Sequence, residues 1–282
     1  MTPLDYFGTL VQLQDDNDSI PLTEAALSIA QDVYPRLDLG AIQSEFDRLA
    51  SVLKARLPAD ASMVQRLRTL NRYFFKELGF SGNRNDYYDP DNSYLNRVLE
   101  RRRGIPISLA VVYMELGQQI GLPLRGVSFP GHFLIKLKVR AGDIFLDPYS
   151  GQSLSREQLE ERLAQFFDAR GLDVPTELAL IPSIQEASAR DILMRMLRNL
   201  KSVYHDKKDF EKLLAVQQRL VVLLPDVSTE RRDRGLIYAQ LECPRAALED
   251  LDFYLAEEPD AAEAVEIRHT ISVLRDALNR LN

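Results

Sequence analysis

The sequence predicts an α+β protein, and three observations predict it. Apolar residues recur at helical spacing over the first quarter, one strictly alternating stretch with a turn lies mid-chain, and the last third repeats itself with a helical-repeat period. At 282 residues, two domains are expected, divided as 1–185 and 186–282.

Residues 20–58 carry two helical patterns, each stopped by a proline, Pro35 and Pro58, because the residue before proline avoids the helical region. A third pattern, 61–78, brings Val64, Leu67, Leu70, Tyr73, Phe74 and Leu78 onto one face. Residues 80–92 are dense in Asn, Asp, Gly and Tyr, which turn the chain through side-chain to backbone hydrogen bonds, so an ordered loop is expected before a short helix over 93–102. Asp86, Asp89 and Asp91 lack the acid spacing, the glycine and the closing Glu of a calcium loop.

The next helix opens at Pro106 and ends near Ile120, before Gly121 and Pro123. Proline suits a first helical position because its missing N–H would be unpaired there. Ile107, Ala110, Val111 and Met114 form its inner face. Phe133, Ile135, Leu137 and Val139 then alternate with His132, Leu134, Lys136 and Lys138, the pattern of two strands around a turn at 140–143 with one buried face. Residues 154–168 return to helix.

Beyond residue 186, Leu197, Leu200, Tyr204 and Pro225 correspond to Arg231, Arg234, Tyr238 and Pro259, each 34 positions later. That is the period of the tetratricopeptide repeat, and Gly235 and Ala247 stand where it wants small residues. The first copy is degenerate, with Lys201 and Leu213 at those places, and a capping helix is expected over 261–281.

Composition excludes several function classes. With 45% hydrophobic and 27% charged residues, no membrane-length apolar run and no signal-like start, a cytoplasmic protein is expected. A single cysteine, Cys243, rules out an internal disulfide or a thiolate zinc site, and no metal or other cofactor is expected. Net charge −7 gives no global attraction to nucleic acid. Arg101, Arg102 and Arg103 are expected to be a solvated or ion-paired helix end.

Of three histidines, His205 and His269 fall on repeat helices and are expected at the surface. His132 begins a strand, and Asp147 ends the next one in Asp-Pro-Tyr-Ser-Gly. A histidine oriented by a carboxylate is half of a nucleophilic triad. With the turn at Ala141-Gly142, the two would share a face but stand four residues out of register, roughly 13 Å along the strands.

The order RRGIPISLA, GLPLRGV, PGHFLIK, FLDPYSG resembles the transglutaminase-like core, a papain-like α+β fold with a small antiparallel sheet. With NRNDYYDPDNSYLNRVLERR before it and degenerate repeats after it, nearly the whole chain resembles the SirB family of bacterial proteins. The resemblance implies a triad of Cys at a helix start, His on a strand and Asp on the next. Active relatives read Gly-x-Cys, an Ala four residues on, and Gly-Ile-Pro eleven further; Ala110 and Gly121-Leu122-Pro123 match, which puts Pro106 at the Cys position, with His132 and Asp147 as the other members.

Proline has neither a nucleophilic atom nor an N–H for an oxyanion. Ser108, two residues on, is turned by about 200° around the helix. A non-catalytic binding or regulatory module, engaging a protein through the repeats or the cleft, is therefore expected. The alternative is a hydrolase or acyltransferase using His132 and Asp147 with Ser108 or an activated water. Tyr87, Tyr88, Asp89, Asn92 and Tyr94 are candidates to line the cleft.

Overall fold

The computed structural model describes residues 1–12, 19–171 and 185–281. The chain divides into two compact units, residues 16–196 and residues 1–15 with 197–282. The opening helix, α1 (Pro3–Gln12), thus groups with the repeats, a grouping that local sequence pattern does not mark.

The core unit begins with α2 (Leu22–Ile29), α3 (Leu39–Ala55) and α4 (Met63–Asn71). Asp38 caps α3 by accepting from the Ala41 N–H, and Ser62 with Gln65 forms a capping box on α4. Instead of running unbroken to residue 78, α4 widens into a π-helical turn over Arg72–Glu77. Tyr73 and Phe74 are both buried there, while Val64, expected on the inner face, is exposed.

Helix α5 (Leu95–Arg101) ends at Arg102, which adopts the left-handed conformation with φ 56°. The three arginines behave as an ion-paired helix end: Arg101 meets Asp89 and Asp91, Arg102 meets Glu45, and Arg103 donates to the Gly79 carbonyl. Two short strands, β1 (Ser81–Gly82) and β2 (Arg103–Gly104), bridge in parallel and tie the loop to the start of α6 (Pro106–Gln119).

Helix α6 is the pillar of this unit. Eleven of its fourteen residues are buried, so it is enclosed on every side rather than amphipathic. It packs against α2, α3, α4 and α5 and against two strands of the sheet.

The expected two strands are the centre of a five-stranded sheet. β3 (Arg125–Val127), β4 (Leu134–Val139), β5 (Gly142–Asp147), β6 (Gln152–Leu154) and β7 (Glu186–Ala187) run in the order β6-β5-β4-β3-β7, all antiparallel. Helix α7 (Arg156–Asp168), capped by Ser155, lies on the second face. Leu134 and Phe145, on the face expected to be polar, are buried there with Leu159 and Leu163. The sheet is therefore covered on both sides at its centre.

Helix α8 (Ala189–Asp206) gives its first eight residues to the core unit and the rest to the repeats. The repeat unit continues with α9 (Phe210–Leu223), α10 (Ser228–Gln240), α11 (Pro244–Glu257) and α12 (Ala264–Leu281). A Cβ on Gly235 would come within 2.8 Å of Leu251 and 3.2 Å of the Ala247 carbonyl, so the small pair sets the α10–α11 crossing. Lys201, at the same place in the first copy, instead reaches Asp233 at 2.6 Å. Helix α1 packs on α9, where the Arg219 guanidinium lies over the Phe7 ring. His205 and His269 are exposed, as is Cys243. Among the described residues no helix is long and apolar enough to cross a membrane.

Candidate functional site

The site is built where the α6 start, the β1–β2 bridge and the β4–β5 hairpin end come together. Pro106 is the first residue of α6 and is buried. Ser108 is fully buried two residues on: its hydroxyl donates to the Asn92 carbonyl at 2.5 Å and accepts from the Ile105 N–H at 3.1 Å. It closes the helix start and holds the preceding loop. Gly104 is required beside it, because a Cβ there would lie 2.7 Å from Ser108 Oγ.

Asn92 organises that loop. It is buried, its amide donates to the carbonyls of Asp86 and Tyr87, and its Oδ1 accepts from Asn83. Asp89 is used locally, accepting from the Asp91 N–H and pairing with Arg101. Tyr94 sits in the core at the α5 N-cap, edge-on to Tyr34. Tyr87 and Tyr88 are exposed by 45% and 67%. Of the five cleft candidates, these two face outward.

From the α6 start a short bonded path reaches the histidine. Asn83 N–H donates to the Gly104 carbonyl, the Tyr149 hydroxyl donates to the Asn83 carbonyl, and Gly82 N–H donates to the Tyr149 carbonyl, each at 3.0 Å. The Tyr149 ring lies 6.4 Å from the His132 ring, nearly perpendicular to it, and 6.2 Å from the Tyr87 ring. Gly82 makes room for that ring; a Cβ would lie 2.1 Å from it.

His132 Nε2 and Asp147 Oδ1 are 2.8 Å apart. The hairpin turns at Arg140-Ala141, one residue earlier than expected, and the paired residues include Ile135 with Leu146. The offset between His132 and Asp147 therefore shrinks from four residues to two. His132 lies in the turn preceding β4, its N–H bonded to the Phe129 carbonyl, and a side chain closes the remaining gap.

Asp147 is nearly inaccessible and saturated. Its Oδ1 also accepts from the Tyr149 N–H, and its Oδ2 accepts from the Ser150 hydroxyl at 2.9 Å and from Arg162 at 3.2 Å. Burial would push this carboxyl up, but the His132 hydrogen bond and charge, with Tyr149 and Ser150, outweigh it and hold it far below the usual carboxylate range. An ionised Asp147 requires the proton on Nε2. The lone pair of the neutral ring is then on Nδ1, for which the described residues supply no hydrogen-bond partner.

Tyr149, Ser150, Arg162 and Asn83 were missed as site residues in the sequence. Tyr149 and Ser150 do stand in the Asp-Pro-Tyr-Ser-Gly turn, where a tight return after a strand places N–H and hydroxyl donors on the strand's last carboxylate. No comparable sequence signal marks Asn83 or Arg162.

This geometry agrees with the match of residues 40–198 to the model of the transglutaminase-like superfamily. The chain belongs to the transglutaminase-like superfamily. Residues 200–272 match a tetratricopeptide-repeat model. A UPF0162 protein of Xylella fastidiosa is 40% identical over 254 residues, covering 90% of this chain and 89% of its own. Protein SirB1 of Salmonella typhimurium is 28% identical over 258 residues, 91% of this chain and 94% of its own. UPF0162 protein YchA of Escherichia coli is 28% identical over 253 residues, 89% and 92% of the two chains. The SirB resemblance thus extends across both units.

Proposed function

We propose that this protein is a non-catalytic transglutaminase-like module that binds a protein partner in the cytoplasm, through the His132 site or the repeats. The observation that carries the reading is Pro106, a buried first helical residue at the cysteine position, with nothing nucleophilic in its side chain. The sole cysteine, Cys243, is exposed at the α11 N-cap in the repeat unit. Ser108 offers no substitute, since its hydroxyl is buried and committed to Asn92 and Ile105.

A second reading, His132 as general base toward an activated water, is favoured by one feature: with Nε2 held on Asp147, the neutral ring carries its lone pair on Nδ1, which has no protein partner among the described residues. One experiment separates the two. The full-length protein is incubated with fluorophosphonate and vinyl-sulfone probes and, in parallel, with peptide ester and amide substrates, followed by intact-mass and product analysis. The binding reading expects no adduct beyond Cys243 labelling and no turnover above the His132→Ala background. An adduct on Ser108, or hydrolysis lost with His132, overturns it.

A further inference from the structure

Arg195, in the part of α8 that belongs to the core unit, is half-buried. Its Nη1 donates one long hydrogen bond, 3.4 Å, to the Phe129 carbonyl, and its guanidinium lies over the Phe133 ring at 5.6 Å. Among the described residues no carboxylate comes within ion-pair distance of it. Burial disfavours its charge, and the interaction opposing that effect is with Tyr87. Arg97, Arg101, Arg102 and Arg162 of the same unit each have a carboxylate partner.

The surroundings of Arg195 are those of His132. The Phe129 carbonyl accepts from both Arg195 and the His132 N–H. Tyr149 is edge-on to His132, and Tyr87 lies beside Tyr149. Arg195 and His132 thus share the Phe129 carbonyl, and donors are left over on Arg195. A half-buried guanidinium without a carboxylate partner is matched by an anion that accepts two parallel hydrogen bonds.

We infer that Arg195 receives a carboxylate of a bound polypeptide, either an acidic side chain or a free chain end, with Tyr87 and Tyr149 packing on the atoms next to it. One guanidinium matches one carboxylate, and the net charge of −7 works against polyanions such as nucleic acid. The inference rests on the binding function proposed for the same site. It adds the chemistry of the ligand.

The test is an NMR titration of the full chain, following the Arg195 Nε–H and His132 imidazole resonances. Four probes are used: acetyl-Ala-Glu-Ala-amide, acetyl-Ala-Ala-Ala with a free carboxyl end, neutral acetyl-Ala-Gln-Ala-amide, and inorganic phosphate. Saturable shifts with one or both carboxylate peptides, and none with the Gln peptide, are expected; which peptide binds identifies the source. Arg195→Gln should weaken binding at least tenfold, Arg195→Lys should weaken it by less, and Lys138→Gln, at an exposed position of β4, should leave it unchanged. Binding of phosphate alone, equal binding of the Gln peptide, or retention of affinity in both Arg195 variants of native-like spectrum overturns the inference. Carboxylate binding followed by cleavage of the peptide would leave this inference standing and overturn the non-catalytic one.

Discussion

The two sides of the site are built on opposite plans. At the α6 start the polar groups turn inward: Ser108 is spent on Asn92 and Ile105, Gly104 is pressed against Ser108, and Pro106 presents no donor. At the hairpin end the polar groups converge on Asp147, which holds His132 by Nε2 alone. A helix start can be made solely from packing and caps. An oriented histidine on a saturated carboxylate brings no packing advantage that an apolar pair would lack, which accords with the binding role proposed for it.

The largest effect is expected on the hairpin side. Asp147→Ala removes the acceptor of five donors and leaves Arg162 and His132 facing a void, and should lower unfolding stability by about 3–5 kcal/mol in urea melts. The pH dependence follows from the sign of the shift. A carboxyl held below its ordinary value contributes its stability above the unfolded-state pKa, about 4, and loses it as pH falls further through the folded value. Wild type should therefore lose stability on acidification below about pH 4 more steeply than Asp147→Asn. Parallel pH profiles would show that the carboxylate charge is not held in this way.

On the helix side a smaller loss is expected. Ser108→Ala leaves the Asn92 carbonyl and the Ile105 N–H with only their long mutual bond of 3.4 Å in a dry environment, at a cost of about 1–3 kcal/mol. Gly104→Ala should cost about as much by overpacking against Ser108 Oγ, Leu109 and Val98. The double variant should cost less than the sum, because removing Oγ clears the nearest clash. Strict additivity in a denaturation cycle would mean that the two residues do not share this space.

What the sequence made legible follows the same division. Pro106 and Gly121 bracket α6 because start and stop residues act locally, and the parity of His132 and Asp147 is readable because strand side chains alternate. Their spacing was not readable, since it depends on which residue begins the turn. Strands β3, β6 and β7, of two or three residues each, are too short to show alternation. The second covered face of the sheet leaves no local pattern, because Leu134 and Phe145 are buried by a helix that follows them in the chain. Arg195, some sixty residues from His132, enters the site through tertiary packing alone.

The smallest effect on stability and the most direct comparison of the two sides come from Pro106→Cys, made with Cys243→Ser so that one thiol remains. Losing proline at a first helical position should cost no more than about 1 kcal/mol, since the N–H it lacks has no helical acceptor there. The chemistry is the informative readout. An isolated thiol ionises near pH 8.5, and a helix N-terminus with an imidazole in reach lowers that value. If the hairpin side still addresses the helix start, alkylation of the introduced thiol by iodoacetamide should proceed at pH values where a free thiol is inert, and His132→Ala should return its pH–rate profile toward the ordinary one. A profile insensitive to His132 would mean that proline was accommodated by moving the two sides apart, so that the histidine now serves only what binds at Arg195.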